Sequence, residues 1–113
     1  MSKNLSDYLH YAQSVHKVND RYKIVDCKEL LVLEAVLGAY INQEEFAVLD
    51  LILQKKIASQ ATLHSVMKGL IAKKLIKTET SKTDGRRKHV LPTKLGLNWL
   101  GDHADLLTNI RKK

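Results

Sequence analysis

The sequence predicts a mainly helical fold with one small β-hairpin, on three observations. Apolar residues recur at helical spacing along most of the 113 residues, the single proline is Pro92, and no Gly/Ser-rich linker divides the chain. Two short strand-like stretches flank Asp84-Gly85, the strongest turn signal present. A polar-capped helical stretch stands directly before this hairpin, and a further helix start directly after it. Helix, charged hairpin, helix is the order of a winged helix-turn-helix, and the length admits one domain with one core.

The elements follow in order. Leu5, Tyr8, Leu9, Ala12, Val15 and Val18 predict a first helix over residues 5–18 with one apolar stripe, and residues 19–25 read as a polar connection. Asp26 and Glu29 form a capping-box pattern that opens a second helix. Its apolar positions (Leu30, Leu31, Leu33, Val36, Leu37, Tyr40) are too many for an exposed helix, so it belongs in the core. Asn42 and Glu45 repeat the capping signal before a short third helix with Phe46, Val48, Leu49, Ile52 and Leu53 that ends near Gln54. Ser59 is a good N-cap for a fourth helix, reaching to Lys74, with Leu63, Val66, Met67, Leu70 and Ile71 on one face. Gly69 weakens this helix, and close approach of a neighbouring helix would explain it. Strands are expected over residues 75–80 and 88–91, with Pro92 ending the ladder. Thr93 caps a last helix, which Gly101-Asp102 interrupts.

Charge is distributed unevenly. Residues 55–94 carry eleven Lys and Arg against Glu79 and Asp84, a net +9, while the remainder holds eight basic and ten acidic side chains, a net −2. A basic segment of this kind suits a polyanion, and with +7 overall the leading partner is nucleic acid. No run approaches the roughly 18 apolar residues of a membrane span, and the N-terminus lacks the apolar core of a signal peptide, so no membrane partner and a cytoplasmic location are expected. A single cysteine, Cys27, excludes an internal disulfide and a multi-cysteine zinc site.

The fourth helix has the side chains of a major-groove reader near its start. Gln60 can make two hydrogen bonds to adenine, Ser59 and Thr62 suit phosphate oxygens, and His64, Ser65 and Lys68 share the polar face. The hairpin tip places Lys82, Arg86, Arg87 and Lys88 within seven residues, where a narrow minor groove would attract them. Asp84 is expected to orient Arg86 or Arg87. The competing reading makes these charges a solubilising device on a strand edge.

Residues 26–100 resemble the MarR-type winged helix-turn-helix transcription regulators. Ser59-Gln60-Ala61-Thr62-Leu63-His64 is similar to the family's S-x-S-T-V-T helix start, and Lys73-Lys74-Leu75-Ile76 to its K-G-L-[IV] exit, with Lys74 in place of the glycine. Asp84-Gly85-Arg86-Arg87 resembles the D-x-R wing, and Leu91-Pro92-Thr93-Lys94-Leu95-Gly96 the L-T-x-x-G helix start. A looser similarity links Glu44-Glu45-Phe46-Ala47-Val48-Leu49 to the short SarA-like branch. The resemblance implies a homodimer clasped through the first and last helices, with residues 59, 60, 62, 64 and 65 on the reading helix and Asp84 and Arg86 in the wing. Less helix at both ends than members usually have leaves little to build the family's cleft for small phenolic effectors, so an effector is not the expectation.

The organisation expected is a dimerisation helix and connection over 1–25, the winged helix-turn-helix over 26–92, and a second dimerisation helix over 93–113. Independently of the family, Tyr8, Tyr11 and Val15 could meet Trp99, Leu106 and Ile110 across a two-fold axis. Among the five histidines no metal-binding spacing occurs, and His103 beside Asp102 and Asp105 reads as a solvated surface residue. Cys27 reads as a small buried hydrophobe, with a redox sensor the alternative. No nucleophile–base pair, phosphate loop or paired carboxylates point to an enzyme or to a cofactor. The function expected is a sequence-specific double-stranded DNA-binding regulator of transcription, foremost a repressor. The alternatives are a winged-helix protein-interaction module and a phage- or plasmid-encoded architectural or replication factor.

Overall fold

In the computed structural model, which describes residues 2–80, 85 and 87–111, the chain runs as α1 (Ser2–Arg21), α2 (Cys27–Ile41), α3 (Val48–Ile52), α4 (Gln60–Ala72), β1 (Ile76–Thr80), β2 (Lys88–Pro92) and α5 (Lys94–Arg111). No helix among the described residues is long and apolar enough to cross a membrane.

Several elements differ from the sequence reading. α1 extends through Asn19, expected in the connection, because the Asn19 amide is buried between α1 and α5. Asp26 caps α2, its Oδ1 accepting the Lys28 N–H at 2.8 Å. Glu29 does not complete a capping box. It is buried and accepts a hydrogen bond from Lys73 Nζ on the far side of the core. Asn42 ends α2 rather than opening α3, which is capped from within: the Asp50 carboxylate accepts the Ala47 N–H at 2.9 Å. On α3 only Leu51 is fully buried, and Leu49 and Leu53 face solvent. α5 runs unbroken through Gly101 and Asp102.

The core gathers Val32, Leu33, Val36 and Leu37 of α2, Leu51 of α3, and Leu63, Val66, Met67 and Leu70 of α4, closed by Leu75, Ile76, Val90 and Trp99. Ile71, expected in this stripe, lies at its edge and is exposed. Gly69 approaches α2, yet a Cβ there would meet only Glu29 Oε2 at 3.7 Å, so the packing does not require glycine.

β1 and β2 pair antiparallel, from Ile76 opposite Pro92 to Thr80 opposite Lys88, so Pro92 is the last rung of the ladder. The segment before α3 adds a short third edge: Ala47 bridges His89, and the Val90 N–H donates to the Phe46 carbonyl at 2.7 Å. At the base of the hairpin, Thr93 donates its N–H to the Leu75 carbonyl (3.1 Å) and its hydroxyl to the Lys74 carbonyl (2.6 Å), and caps α5 by accepting the Gly96 N–H (3.1 Å). A Cβ on Gly96 would fall inside contact distance of the Leu75 carbonyl oxygen, so glycine is the residue that lets α5 start here.

Candidate nucleic-acid interface

Burial sets the rotation of α4. Leu63 and Leu70 are wholly inside, and each buried leucine is worth about 1.5–3 kcal/mol. With that face held in, Gln60, Ala61, His64, Ser65 and Lys68 are exposed along the other. Ser59 caps the helix: its Oγ accepts the Thr62 N–H at 3.3 Å and donates to Thr62 Oγ1 at 3.0 Å. The Ser59 hydroxyl hydrogen is therefore engaged with Thr62, and the Thr62 hydroxyl hydrogen is the donor this pair can turn outward.

In the hairpin, Lys82, Asp84 and Arg86 lie outside the described residues, as does the pairing expected of Asp84. Gly85 and Lys88 are exposed. The Arg87 guanidinium stands 3.8 Å from Asp50 Oδ2, with side chains 50% and 44% exposed. An ion pair this open adds little stability. Its consequence is placement, because Asp50 also caps α3, and α3 packs against both α4 and β2. β2 and α4 are thus held to the same short helix. Asp50 was missed on sequence; an acid three residues after the N-cap position of a short helix was its one signal.

Among the described residues, three of the clustered cations have acidic partners: Lys73 with Glu29 (2.5 Å), Lys77 with Glu79 (3.1 Å) and Arg87 with Asp50. Lys73 and Lys74 follow the C-terminal end of α4, one helix length from Gln60. The basic segment is therefore not one continuous face.

The terminal helices are also built differently from expectation. Trp99, expected at a subunit interface, is 3% exposed in the core of its own protomer. Its indole N–H donates to Asn19 Oδ1 at 2.9 Å, and His103 Nε2 lies 3.0 Å from the same oxygen. That oxygen only accepts, so Nε2 carries the proton of the neutral ring. His103 is accordingly not a solvated surface residue. Its ring tilts against Trp99 at 4.4 Å, and burial lowers its pKa, against the pull of Asp102 and with a smaller push from Arg21. Tyr22 donates to Asp102 Oδ2 at 2.6 Å, and burial followed by this carboxylate raises its phenol pKa. Cys27 is exposed at the first position of α2 rather than buried. No group of three or more His, Cys, Asp or Glu among the described residues is placed to hold a metal. Between α1, α2 and α5 lies a largely apolar cleft of about 670 Å³, lined by Tyr11, Val15, Leu30, Glu34, Trp99 and His103 among others. The terminal helices α1 and α5 thus bound a cleft where the sequence expected little room for one.

This arrangement is the MarR-type winged-helix fold. Among solved structures, the Staphylococcus aureus MepR–DNA complex superposes with a TM-score of 0.77 at 16% identity, covering 99% of this chain and 78% of that one. S. aureus MepR bound to ethidium bromide gives 0.75 at 16% identity over the same 99% and 78%. The transcriptional regulator Tm0710 from Thermotoga maritima gives 0.68 at 13%, covering 98% and 75%. No protein-family model and no curated protein matches the chain.

Proposed function

We propose that the chain is a homodimeric, sequence-specific double-stranded DNA-binding regulator of transcription that acts as a repressor. The observation that carries the reading is the exposed polar face of α4, with Gln60, His64, Ser65 and Lys68 turned outward by a buried apolar underside. A helix so presented fits the major groove, where Gln60 pairs with a base edge and Thr62 and Lys68 meet phosphates. Lys82, Arg86, Arg87 and Lys88 of the wing take the flanking minor groove or backbone, with Asp84 orienting the arginines. The fold shared with a protein solved on DNA supports this assignment. Leu5, Tyr8 and Leu9 of α1, all more than 60% exposed, and Leu107 of α5 support association of two copies through the terminal helices. In that assembly residues 1–25 and 93–113 clasp the dimer and 26–92 reads DNA.

Selection of bound duplexes from a random pool tests the reading. It should enrich a two-fold symmetric motif, and Gln60→Ala should change the preferred base at one position of each half-site. The double change Arg86→Ala with Arg87→Ala should weaken all duplexes alike and lower the salt slope by about 4, since a dimer loses four cations. Enrichment of no motif would favour an architectural factor, and binding indifferent to salt a protein-interaction module.

The cleft between α1, α2 and α5 favours a second element of the same reading. Trp99, Tyr11 and Glu34 line it, and a structural neighbour was solved with ethidium bromide, a planar cation. Quenching of the single tryptophan by such a cation in the absence of DNA, lost in Glu34→Gln, is the expected outcome.

A further inference from the structure

Two helices of this protein end on a lysine in left-handed backbone, Lys23 after α1 (φ 64°) and Lys74 after α4 (φ 65°). Glycine suits such positions best, since a Cβ crowds the following carbonyl. The third non-glycine residue in this region among the described residues, Gln43 after α2, is uncharged. Lys23 and Lys74 come together in space. With Arg21, Tyr22, Lys73 and Leu95 they line a cavity of about 580 Å³ formed by the α1–α2 turn, the end of α4 and the start of α5. Four lining residues are cations and none is an acid.

The cations divide by what holds them. Lys73 is committed to the protein, donating to Glu29 Oε2 (2.5 Å) and the Lys23 carbonyl (2.6 Å). Arg21 stands 3.9 Å from Asp102 Oδ2, which already accepts the Tyr22 hydroxyl, and its side chain is 66% exposed. Lys23 and Lys74 are exposed. Lysines near helix ends ordinarily offset the negative end of the helix dipole. That role is already open to unstrained residues, Arg21 in the last turn of α1 and Lys73 at the C-cap of α4 (φ −79°), and does not call for left-handed backbone; Lys23 and Lys74 add charge beyond it, and both line the cavity.

We infer that this cavity is a binding site for a small polyvalent anion bearing phosphate or carboxylate groups, held by Arg21, Lys23 and Lys74 over the apolar side chains of Leu95 and Tyr22. The volume is that of a small-ligand pocket. The site is concave and lies about 20 Å, the length of α4 at 1.5 Å per residue, from the end of α4 that presents Gln60. A free anion therefore fits it better than the backbone of a duplex lying on that other end. An occupant would tie the α1–α2 turn to the ends of α4 and α5. The inference does not rest on the DNA-binding reading and stands or falls without it.

The test uses the whole chain at constant ionic strength, with inorganic pyrophosphate in one arm and citrate in the other. Thermal unfolding should shift up by about 3 °C or more in the arm whose chemistry the site takes. Backbone amide resonances of residues 22–23, 73–74 and 95 should move with the same concentration dependence. In Lys23→Gly with Lys74→Gly, which relieves two left-handed lysines and so retains the fold, both effects should disappear. In Arg86→Ala with Arg87→Ala both should persist, which separates the cavity from the basic wing. An equal shift in the Lys23/Lys74 variant, resonance changes confined to the wing, or no shift with either anion overturns the inference.

Discussion

At its N-terminal end α4 presents Gln60, His64 and Ser65 to solvent behind the Ser59 cap. At its C-terminal end Lys73 is drawn onto Glu29, and Lys74 turns into left-handed backbone beside the base of the wing. The end proposed to read DNA is built from exposed hydrogen-bonding side chains. The opposite end, rich in positive charge, is tied to α2, to the first turn of α5 through Thr93, and to a cavity of its own. The difference teaches that clustering of charge along the sequence does not by itself make one exposed basic surface. A buried or part-buried lysine is held by a partner that must be found in space, whereas an exposed glutamine signals freedom to bind.

Three substitutions sharpen or break that contrast. Gly96→Ala, at the joint behind the C-terminal end, should have the largest effect, about 3 kcal/mol of lost stability in urea titration, since the new methyl group collides with the Leu75 carbonyl. Glu29→Gln should follow, lowering stability by about 2 kcal/mol because Lys73 keeps its charge and loses its acid. Its effect on the preferred DNA sequence should be nil. Ser59→Ala should remove about 1 kcal/mol through the lost cap. If Ser59→Ala proves costlier than Glu29→Gln, the two ends have been ranked the wrong way round.

The smallest effect belongs to the polar junction of α1 and α5, away from both ends. The folded protein holds the His103 pKa below the ordinary 6.5, so the unfolded chain takes up this proton first as pH falls. Stability referred to His103 is then level above about pH 7 and lost as the pH drops through the unfolded value and on toward the folded one. Thermal midpoints measured between about pH 7.5 and 5.5 should fall less steeply in His103→Gln than in the parent.

Much of this was legible in the chain. Asp26, Ser59 and Thr93 act as caps because a short polar side chain before an apolar repeat can reach only the first free amides of that helix. The pattern Leu63, Val66, Met67, Leu70 gave the buried side of α4 and, by difference, the exposed residues of the candidate interface. Other positions misled for a common reason. Asn19 reads as loop, Glu29 as a cap partner and Trp99 as an interface residue, yet each is explained by a partner far along the chain: Trp99 for Asn19, and Lys73 for Glu29. Local pattern contains no signal for partners 44 and 80 residues apart. Asp50, which holds Arg87 while capping α3, was hidden in the same way.

By itself the sequence determined the order of the elements, the starts of α2, α4 and α5, the pairing of two short strands, and which side of α4 is apolar, because these follow from hydrogen bonds and side-chain periodicities that span a few residues. Only the tertiary structure decided which lysines are held by acids, that Trp99 belongs to the protomer's own core, and that two left-handed lysines line one cavity. Those outcomes depend on the close packing of distant segments, where an ionised or polar group must find its partner across the core.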